Sequence, residues 1–228
     1  MPLMPLDSNY LILIIASLLL GLITQAYINH QYKKYSAVNI STGLTGAQTA
    51  RGFLDSQGLS NIAIQMVPGH LTDHYDPRTN VVALSEEVFN GRSVAATAIA
   101  CHECGHAAQQ AHAYLPARLR GALVPVVSLA SNLWVFVLII GIFANLLQVV
   151  WVAVIMFGAV LLFQLVTLPV EFNASRRAMA YIGLGGYLPP NEISGARHVL
   201  TAAALTYVAG ALMAVMQLLW LFSMARRR

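Results

Sequence analysis

The sequence predicts a mainly α, polytopic membrane protein with about four transmembrane helices and one small α+β polar region. Of its 228 residues, 57% are hydrophobic and only 10% are charged, whereas soluble domains carry about 25% charged residues. Apolar runs occupy residues 11–28, 122–144, 146–170 and 201–222. Each run is close to the roughly 20 residues that a membrane-spanning helix needs. The remaining chain suffices for one small polar domain.

The apolar runs divide the chain into five predicted segments. The first run lacks a basic flank and is followed by no small-residue cleavage site, so it is interpreted as an uncleaved transmembrane helix. The segments are an N-terminal transmembrane helix (1–28), a polar region (29–121), a transmembrane hairpin (122–170), a second polar segment (171–200), and a C-terminal transmembrane helix with a basic tail (201–228).

The polar region is predicted to contain both helices and strands. Hydrophobic spacing, together with the Gly and Pro positions, marks the boundaries of each element. Predicted helices cover 45–57 and 93–112, with a further helix start at 85–87; predicted strands cover 61–67 and 80–84, a loop covers 70–78, and a turn covers 183–190. Pro169 is expected to kink or end the second helix of the hairpin.

The charges predict which parts of the chain face the cytoplasm. With the N-terminus outside, segments 29–121 and 171–200 both lie in the cytoplasm and hold 10 of the 13 Lys and Arg residues. Because cytoplasmic segments carry an excess of Lys and Arg, this orientation is favoured, although the three C-terminal arginines oppose it. No basic patch is interleaved with aromatic residues, so no nucleic-acid partner is expected.

The hexapeptide at residues 101–106, CHECGH, contains an H-E-x-x-H pattern within a predicted helix. Because residues four apart on a helix are neighbours, His102 and His106 can present their imidazoles to one zinc ion. Glu103 lies about 100° around the helix, where it can act as general base towards a zinc-activated water. With 7 His in 228 residues, this pattern arises by chance about 0.005 times per chain of this composition. The sequence therefore predicts a zinc metallopeptidase.

A catalytic zinc ion needs a third protein ligand, and two residues are candidates. His112 has the spacing of a third metzincin histidine, but Gln109 replaces the helix-breaking glycine of that pattern. Glu171 directly follows the hairpin, which returns the chain to the side of the active-site helix. The topology favours Glu171 as the third ligand.

These residues, together with the stretch LPVEF at 168–172, resemble the YugP type of membrane zinc metallopeptidase, which shares a gluzincin layout with the membrane protease HtpX. The resemblance covers essentially the whole chain. It implies a zincin-like catalytic region, a bacterial inner-membrane location and peptide-bond hydrolysis. It also implies one Zn²⁺ held by His102, His106 and Glu171, with Glu103 catalytic. Asn173 stands where the family pattern suggests an aspartate able to orient a ligating histidine.

The resemblance also implies how a substrate is held. In gluzincin peptidases a strand edge near the active-site helix binds the substrate backbone, and the strand at 80–84 is the candidate here. Four basic residues near the presumed site are candidates for stabilising the oxyanion, with membrane anchoring as the alternative: Arg176, Arg177, Arg197 and His198.

Other polar and sulfur residues invite less specific hypotheses. Cys101 and Cys104 form a C-x-x-C pattern but lack the βαβ context of a redox motif, so they are interpreted as small packing residues. His70, His74 and Asp76 in the predicted loop are candidates for a second metal site, although a polar loop with a turn is the simpler interpretation.

Two other classes of function compete with the peptidase. A non-proteolytic, zinc-bound membrane scaffold or chaperone-like interaction protein would use the same ligands. A zinc transporter would need ionisable residues deep within the spans, which are almost free of them. The expected partners are therefore a peptide or protein substrate, which includes membrane proteins, and the lipid bilayer.

Overall fold

A computed structural model of the protein describes residues 8–184 and 188–226. Within these residues it contains seven helices and one three-stranded sheet. The helices are α1 (Ser8–Ser36), α2 (Gly46–Ser56), α3 (Glu86–Phe89), α4 (Val94–Ala111), α5 (Leu115–Phe143), α6 (Leu147–Leu184) and α7 (Pro190–Arg226), and the strands are β1 (Ala63–Val67), β2 (His74–Asp76) and β3 (Val81–Ser85).

Four of these helices, α1, α5, α6 and α7, are long and apolar enough to cross a membrane. At 1.5 Å per residue, even the 29-residue helices exceed the roughly 30 Å of a bilayer's hydrocarbon core. The three residues between α5 and α6 form the predicted hairpin turn, in which Asn145 adopts a left-handed φ of 56°. The mainly α, polytopic fold with four spans is therefore confirmed.

Helix α6 runs without interruption through Pro169 and includes Glu171. Of the two outcomes expected at Pro169, a kink or an end of the helix, the end is therefore excluded, because the residues after Pro169 continue α6. A proline removes only one backbone donor, and a long apolar helix keeps the rest of its hydrogen-bond ladder. Of the turn predicted at 183–190, residues 185–187 lie outside the described part of the chain.

The chain divides into two compact units, and α1, α5, α6 and α7 contribute to both. One comprises the described residues within Met1–Gln25, Leu119–Leu168 and Thr206–Arg228; the other comprises those within Ala26–Arg118 and Pro169–Leu205. The first unit has an apolar core that includes Val150, Phe157 and Leu221. The second has a larger core of residues from α2, the sheet, α4, α6 and α7.

Helix α2 in the second unit is defined by its own sequence. The Thr45 hydroxyl accepts a hydrogen bond from Gln48 N at 3.2 Å, and the Gln48 side chain accepts one from Thr45 N at 2.8 Å. This reciprocal pair satisfies two free amides at the start of the helix. At the other end, Gly58 has a φ of 72°, which favours glycine. The predicted helix is confirmed, and it buries Phe53 and Leu54.

The sheet has the strand order β1-β3-β2. The two predicted strands pair in parallel, with Ala63 opposite Val81, and β2 adds to the other side of β3 in antiparallel orientation. Strand β2 lies in the segment expected to be a loop. Three residues are too few to show the alternating pattern of a strand, so pairing with β3 defines it.

Helix α4 lies within the boundaries that the sequence predicts. The Ser93 hydroxyl caps its first turn by accepting a hydrogen bond from Ala96 N at 3.2 Å, and His112 is its C-terminal cap. Small residues let this helix be almost entirely buried. Because little of α4 reaches solvent, a polar side chain on it is stabilised where the fold supplies a hydrogen-bond partner.

Candidate metal centre

The imidazoles of His102 and His106 lie side by side on α4, one helical turn apart. Their ring centroids are 4.8 Å apart and their planes are perpendicular. Both side chains are largely buried, with 13% and 16% of their surface exposed. The helix therefore delivers two imidazole nitrogens to one region, as the i, i+4 spacing predicts.

The carboxylate of Glu171 on α6 lies opposite both rings. Its Oε2 is 3.2 Å from His102 Nε2 and 3.5 Å from His106 Nε2. A ligand atom from each of the three residues lies within 4.8 Å of the other two. Ligands about 2.0–2.1 Å from a tetrahedral zinc ion are about 3.3–3.5 Å apart, so these residues fit Zn²⁺.

Hydrogen bonds to Nδ1 hold both rings with Nε2 facing Glu171. His102 Nδ1 is 3.1 Å from the Ser175 hydroxyl on α6, and His106 Nδ1 is 3.0 Å from Gln109 Oε1 on α4. Metal-ligating histidines usually make such a bond through the nitrogen that does not bind the metal. Neither role is predicted from the sequence: Ser175 lies on a different helix from His102, and Gln109, three residues after His106 on α4, has the appearance of an ordinary helix former.

Negative charge surrounds His106. Burial lowers the pKa of this imidazole, but the hydrogen bond to Glu171 and the charges of Glu103 and Glu171 outweigh it, and the net pKa is raised. The site therefore favours a positive charge at His106, and a divalent cation supplies positive charge at the same place. The ligand atoms present and the negative charge near them are therefore both suited to a divalent cation.

Glu103 is buried beside the two histidines, with 9% of its surface exposed. It follows His102 directly on α4, so its side chain leaves the helix about 100° away from that ring. Its charge raises the pKa of both His106 and Asp73. This location, near the histidines but outside the three-residue cluster, suits a proton acceptor rather than a ligand.

Asp73, which precedes β2, is an acidic residue near the site that no sequence pattern indicates. Its carboxylate accepts hydrogen bonds from Ser85 N at 2.7 Å and from the Ser85 hydroxyl at 3.1 Å. Burial raises the pKa of Asp73, the Ser85 hydrogen bonds lower it, and the charge of Glu103 raises it further, so that the net pKa is raised. Asp73 thus links the start of β2 to the end of β3 through Ser85, and its pKa responds to the charge of Glu103.

The structure gives other partners to the remaining candidate ligands. His112 Nδ1 is 3.2 Å from Arg177 Nη1, and His112 is not part of the three-residue cluster. His70 pairs with Glu87 at 2.9 Å, while His74 Nδ1 contacts the Thr72 carbonyl at 2.8 Å. Among the described residues, His102, His106 and Glu171 form the one group suited to a metal, so the second site considered at His70, His74 and Asp76 is not assembled.

Three further expectations are changed by the structure. The Asn173 amide oxygen accepts from Gln109 and Arg177, so the role of orienting a ligand ring belongs to other residues. Strand β3, the predicted substrate strand, is central in the sheet and has no free edge. Of the candidates for stabilising an oxyanion, Arg177 is bonded to Asn173 and His112, and His198 to Tyr35 and the Ser194 carbonyl.

Cys101 and Cys104 are free thiols with no exposed surface. Burial raises the pKa of both, and Cys104 Sγ lies 3.5 Å from the Ala50 carbonyl oxygen. Because thiolates are the reactive form, raised pKa values make both thiols inert. The packing interpretation agrees with this environment.

Comparison with known proteins places the chain in a family. The family model described as "Putative neutral zinc metallopeptidase" matches residues 10–226. The chain belongs to this metallopeptidase family. It is also 45% identical over 210 residues to a "Putative membrane protease YugP" of Bacillus subtilis (strain 168), an alignment that covers 92% of this chain and 93% of the relative. No solved structure matches the chain. Its membership and its four spans make it a multi-pass membrane protein of a zinc peptidase family.

Proposed function

We propose that the protein is a membrane-embedded, zinc-dependent endopeptidase with one Zn²⁺ ligated by His102, His106 and Glu171. The observation that carries the proposal is the convergence of these three side chains beside the buried carboxylate of Glu103. A catalytic zinc site has three protein ligands and one open position, and this cluster offers three. Membership of a zinc metallopeptidase family supports the same conclusion.

Each protein residue has a distinct role in the proposed reaction. Zn²⁺, when bound, supplies Lewis-acid activation of water and of the scissile carbonyl. Glu103 accepts a proton from the attacking water and passes it to the nitrogen of the departing amine, so that the C–N bond breaks and a carboxylic acid and an amine are formed. Ser175 and Gln109 hold the two imidazoles with Nε2 towards Glu171.

The substrate is proposed to be an extended peptide, including chains anchored in or near the membrane. Strand β2 pairs with β3 along one edge, and its other edge has no partner among the described strands. β2 packs against α4. The charge of Glu103 on α4 raises the pKa of Asp73, the residue just before β2. The free edge of β2 is therefore the better place for a substrate backbone to add as a further strand.

The charge distribution supports a cytoplasmic catalytic side. Residues 29–121 and 171–200 hold 10 of the 13 Lys and Arg residues, and all four proposed site residues lie in these segments. Under the positive-inside tendency, the active site of this plasma-membrane protein faces the cytoplasm.

The test is zinc content and cleavage by protein purified in detergent without chelator. We expect one zinc ion per chain and cleavage of an unfolded test protein such as casein. Glu103→Gln should keep the zinc and lose at least about 100-fold in kcat, because it cannot accept a proton. Glu86→Gln, an exposed glutamate on α3, is the matched control and should cleave normally.

Two outcomes would overturn the proposal. A folded wild-type protein that binds no zinc when supplied with the ion would remove the metal site. A zinc-loaded wild-type protein that cleaves nothing, while Glu103→Gln complements every cellular phenotype of a deletion strain, would favour a non-proteolytic scaffold.

A further inference from the structure

The side chain of Gln109 connects the two helices that carry the proposed ligands. It is almost completely buried, with 1% of its surface exposed. Its Oε1 lies 3.0 Å from His106 Nδ1, while its Nε2 lies 2.7 Å from the Val170 carbonyl oxygen and 3.1 Å from Asn173 Oδ1. One amide therefore contacts a ligand ring on α4 and the residue that directly precedes Glu171 on α6.

These contacts fix which way the amide points. The Val170 carbonyl can only accept a hydrogen bond, so the NH2 group of Gln109 must face it. The oxygen of Gln109 then faces His106, and because this oxygen can only accept, His106 Nδ1 must carry the proton. The neutral ring consequently keeps an unprotonated Nε2, the form that binds a metal, on the side of Glu171.

Arg177, acting through Asn173, fixes the same orientation of the Gln109 amide. Arg177 Nε donates to Asn173 Oδ1 at 2.9 Å, and a guanidinium is always a donor. Asn173 therefore presents its oxygen, which accepts the second N–H of Gln109. The order from Arg177 through Asn173 and Gln109 to His106 is a chain of donors and acceptors with a single consistent direction.

His102 has a hydroxyl group, and not an amide, as the hydrogen-bond partner of its Nδ1. His102 Nδ1 lies 3.1 Å from the Ser175 hydroxyl. A hydroxyl donates and accepts equally well, so Ser175 is compatible with either tautomer of His102. Of the two ligand histidines, His106 is the one whose tautomer is dictated by its surroundings.

We propose that Gln109 is a positioning residue of the metal site, which sets the tautomer of His106 and fixes α4 to α6 beside Glu171. This inference rests on the proposed zinc site and goes beyond it by assigning a role to a residue that neither binds the metal nor touches substrate. Asn173 and Arg177 act through Gln109 by holding its NH2 group in place.

The experiment measures zinc affinity of the purified full-length protein by competition with a chromophoric chelator. Gln109→Met has similar length and packing but no hydrogen bonds, and it should weaken zinc binding by about 10- to 100-fold. Gln110→Met changes the exposed neighbour on the same helix and should bind as the wild type does. Thermal unfolding of the metal-free proteins reports any loss of packing separately.

A second pair of variants applies even where Gln109→Met does not fold. Asn173→Asp keeps an oxygen for Gln109 and Arg177 and should bind zinc within about threefold of the wild type. Asn173→Leu removes that acceptor and should weaken binding by about 10-fold. Asn173→Asp thus preserves the hydrogen-bond acceptor that Asn173→Leu removes.

Unchanged zinc affinity in a folded Gln109→Met, or equal affinity in Asn173→Leu and Asn173→Asp, would overturn the role of Gln109. That result is distinguishable from failure of the peptidase proposal, which depends on cleavage by wild type and its loss in Glu103→Gln. A protein that binds zinc without cleaving peptides, and whose affinity falls in Gln109→Met, would support this inference alone.

Discussion

Gly105 on α4 lies directly against the backbone of Ala174 on α6. A Cβ atom at position 105 would be 2.6 Å from the Ala174 carbonyl oxygen. Gly105 is the residue before His106, and Ala174 is three residues after Glu171. The absence of a side chain at one position therefore allows the two ligand-bearing helices to approach closely enough for their ligands to meet.

We expect Gly105→Ala to push α4 and α6 apart. Overpacking of this kind costs about 1–3 kcal/mol, which exceeds the gain of up to about 1 kcal/mol that alanine brings to a helix. Zinc affinity should fall at least about tenfold, because the imidazoles move away from Glu171. The measurements are thermal unfolding and chelator competition.

Gly183→Ala is the matched control, because Gly183 lies on α6 with nothing within 4 Å of the added Cβ. It should leave zinc affinity unchanged. If Gly105→Ala binds zinc as tightly as this control does, the close approach of the helices is not what aligns the ligands.

The third ligand is tested by comparing Glu171→Ala with His112→Ala. Glu171 Oε2 lies 3.2 Å from His102 Nε2. His112, at the end of α4, is instead hydrogen-bonded to Arg177 on α6. Metal analysis should find zinc lost from Glu171→Ala and retained at one ion per chain in His112→Ala. Retention in the first variant with loss in the second would reverse the assignment.

The sequence predicts those parts of the site that depend on local spacing. His102 and His106 follow from the helical period, and the start of α4 follows from its cap residue Ser93. Glu171 is predicted because a short hairpin must return the chain to the same side. In each case the signal lies within a few residues or in the order of the apolar runs.

What the sequence does not predict depends on contacts between distant segments. Gln109 has the appearance of an ordinary helix former, and only the packing of α6 reveals its partners Val170 and Asn173. Strand β2 is too short for a pattern, and Asp73 is recognisable only through Ser85. Tertiary structure decides these features, since local sequence is compatible with several alternatives.

The thiols of Cys101 and Cys104 should be unreactive in the folded protein. Both side chains have no exposed surface and raised pKa values. Ellman's reagent should therefore label both cysteines only after denaturation, and Cys104→Ala should retain zinc binding and peptide cleavage. Rapid labelling of the native protein, or loss of cleavage on reversible oxidation, would instead indicate a redox function.

Asp73, which directly precedes β2, and Asp76, its last residue, should give stability profiles of opposite slope with pH. Burial raises the pKa of Asp73, whereas the Arg78 amide and the Thr79 hydroxyl lower the pKa of Asp76. A carboxyl whose pKa is higher in the folded than in the unfolded state binds its proton more tightly when folded. Its contribution is therefore most favourable below the ordinary pKa of about 3.9 and declines as the pH rises through the folded value.

Relative to Asp73→Asn, the wild type should consequently lose stability as the pH rises from about 3 towards 7. Relative to Asp76→Asn, it should lose stability as the pH falls below about 4, because the lowered pKa favours the charged carboxylate. Thermal unfolding of the metal-free proteins in detergent over this range measures both differences. Parallel slopes would show that the surroundings of Asp73 do not raise its pKa relative to that of Asp76.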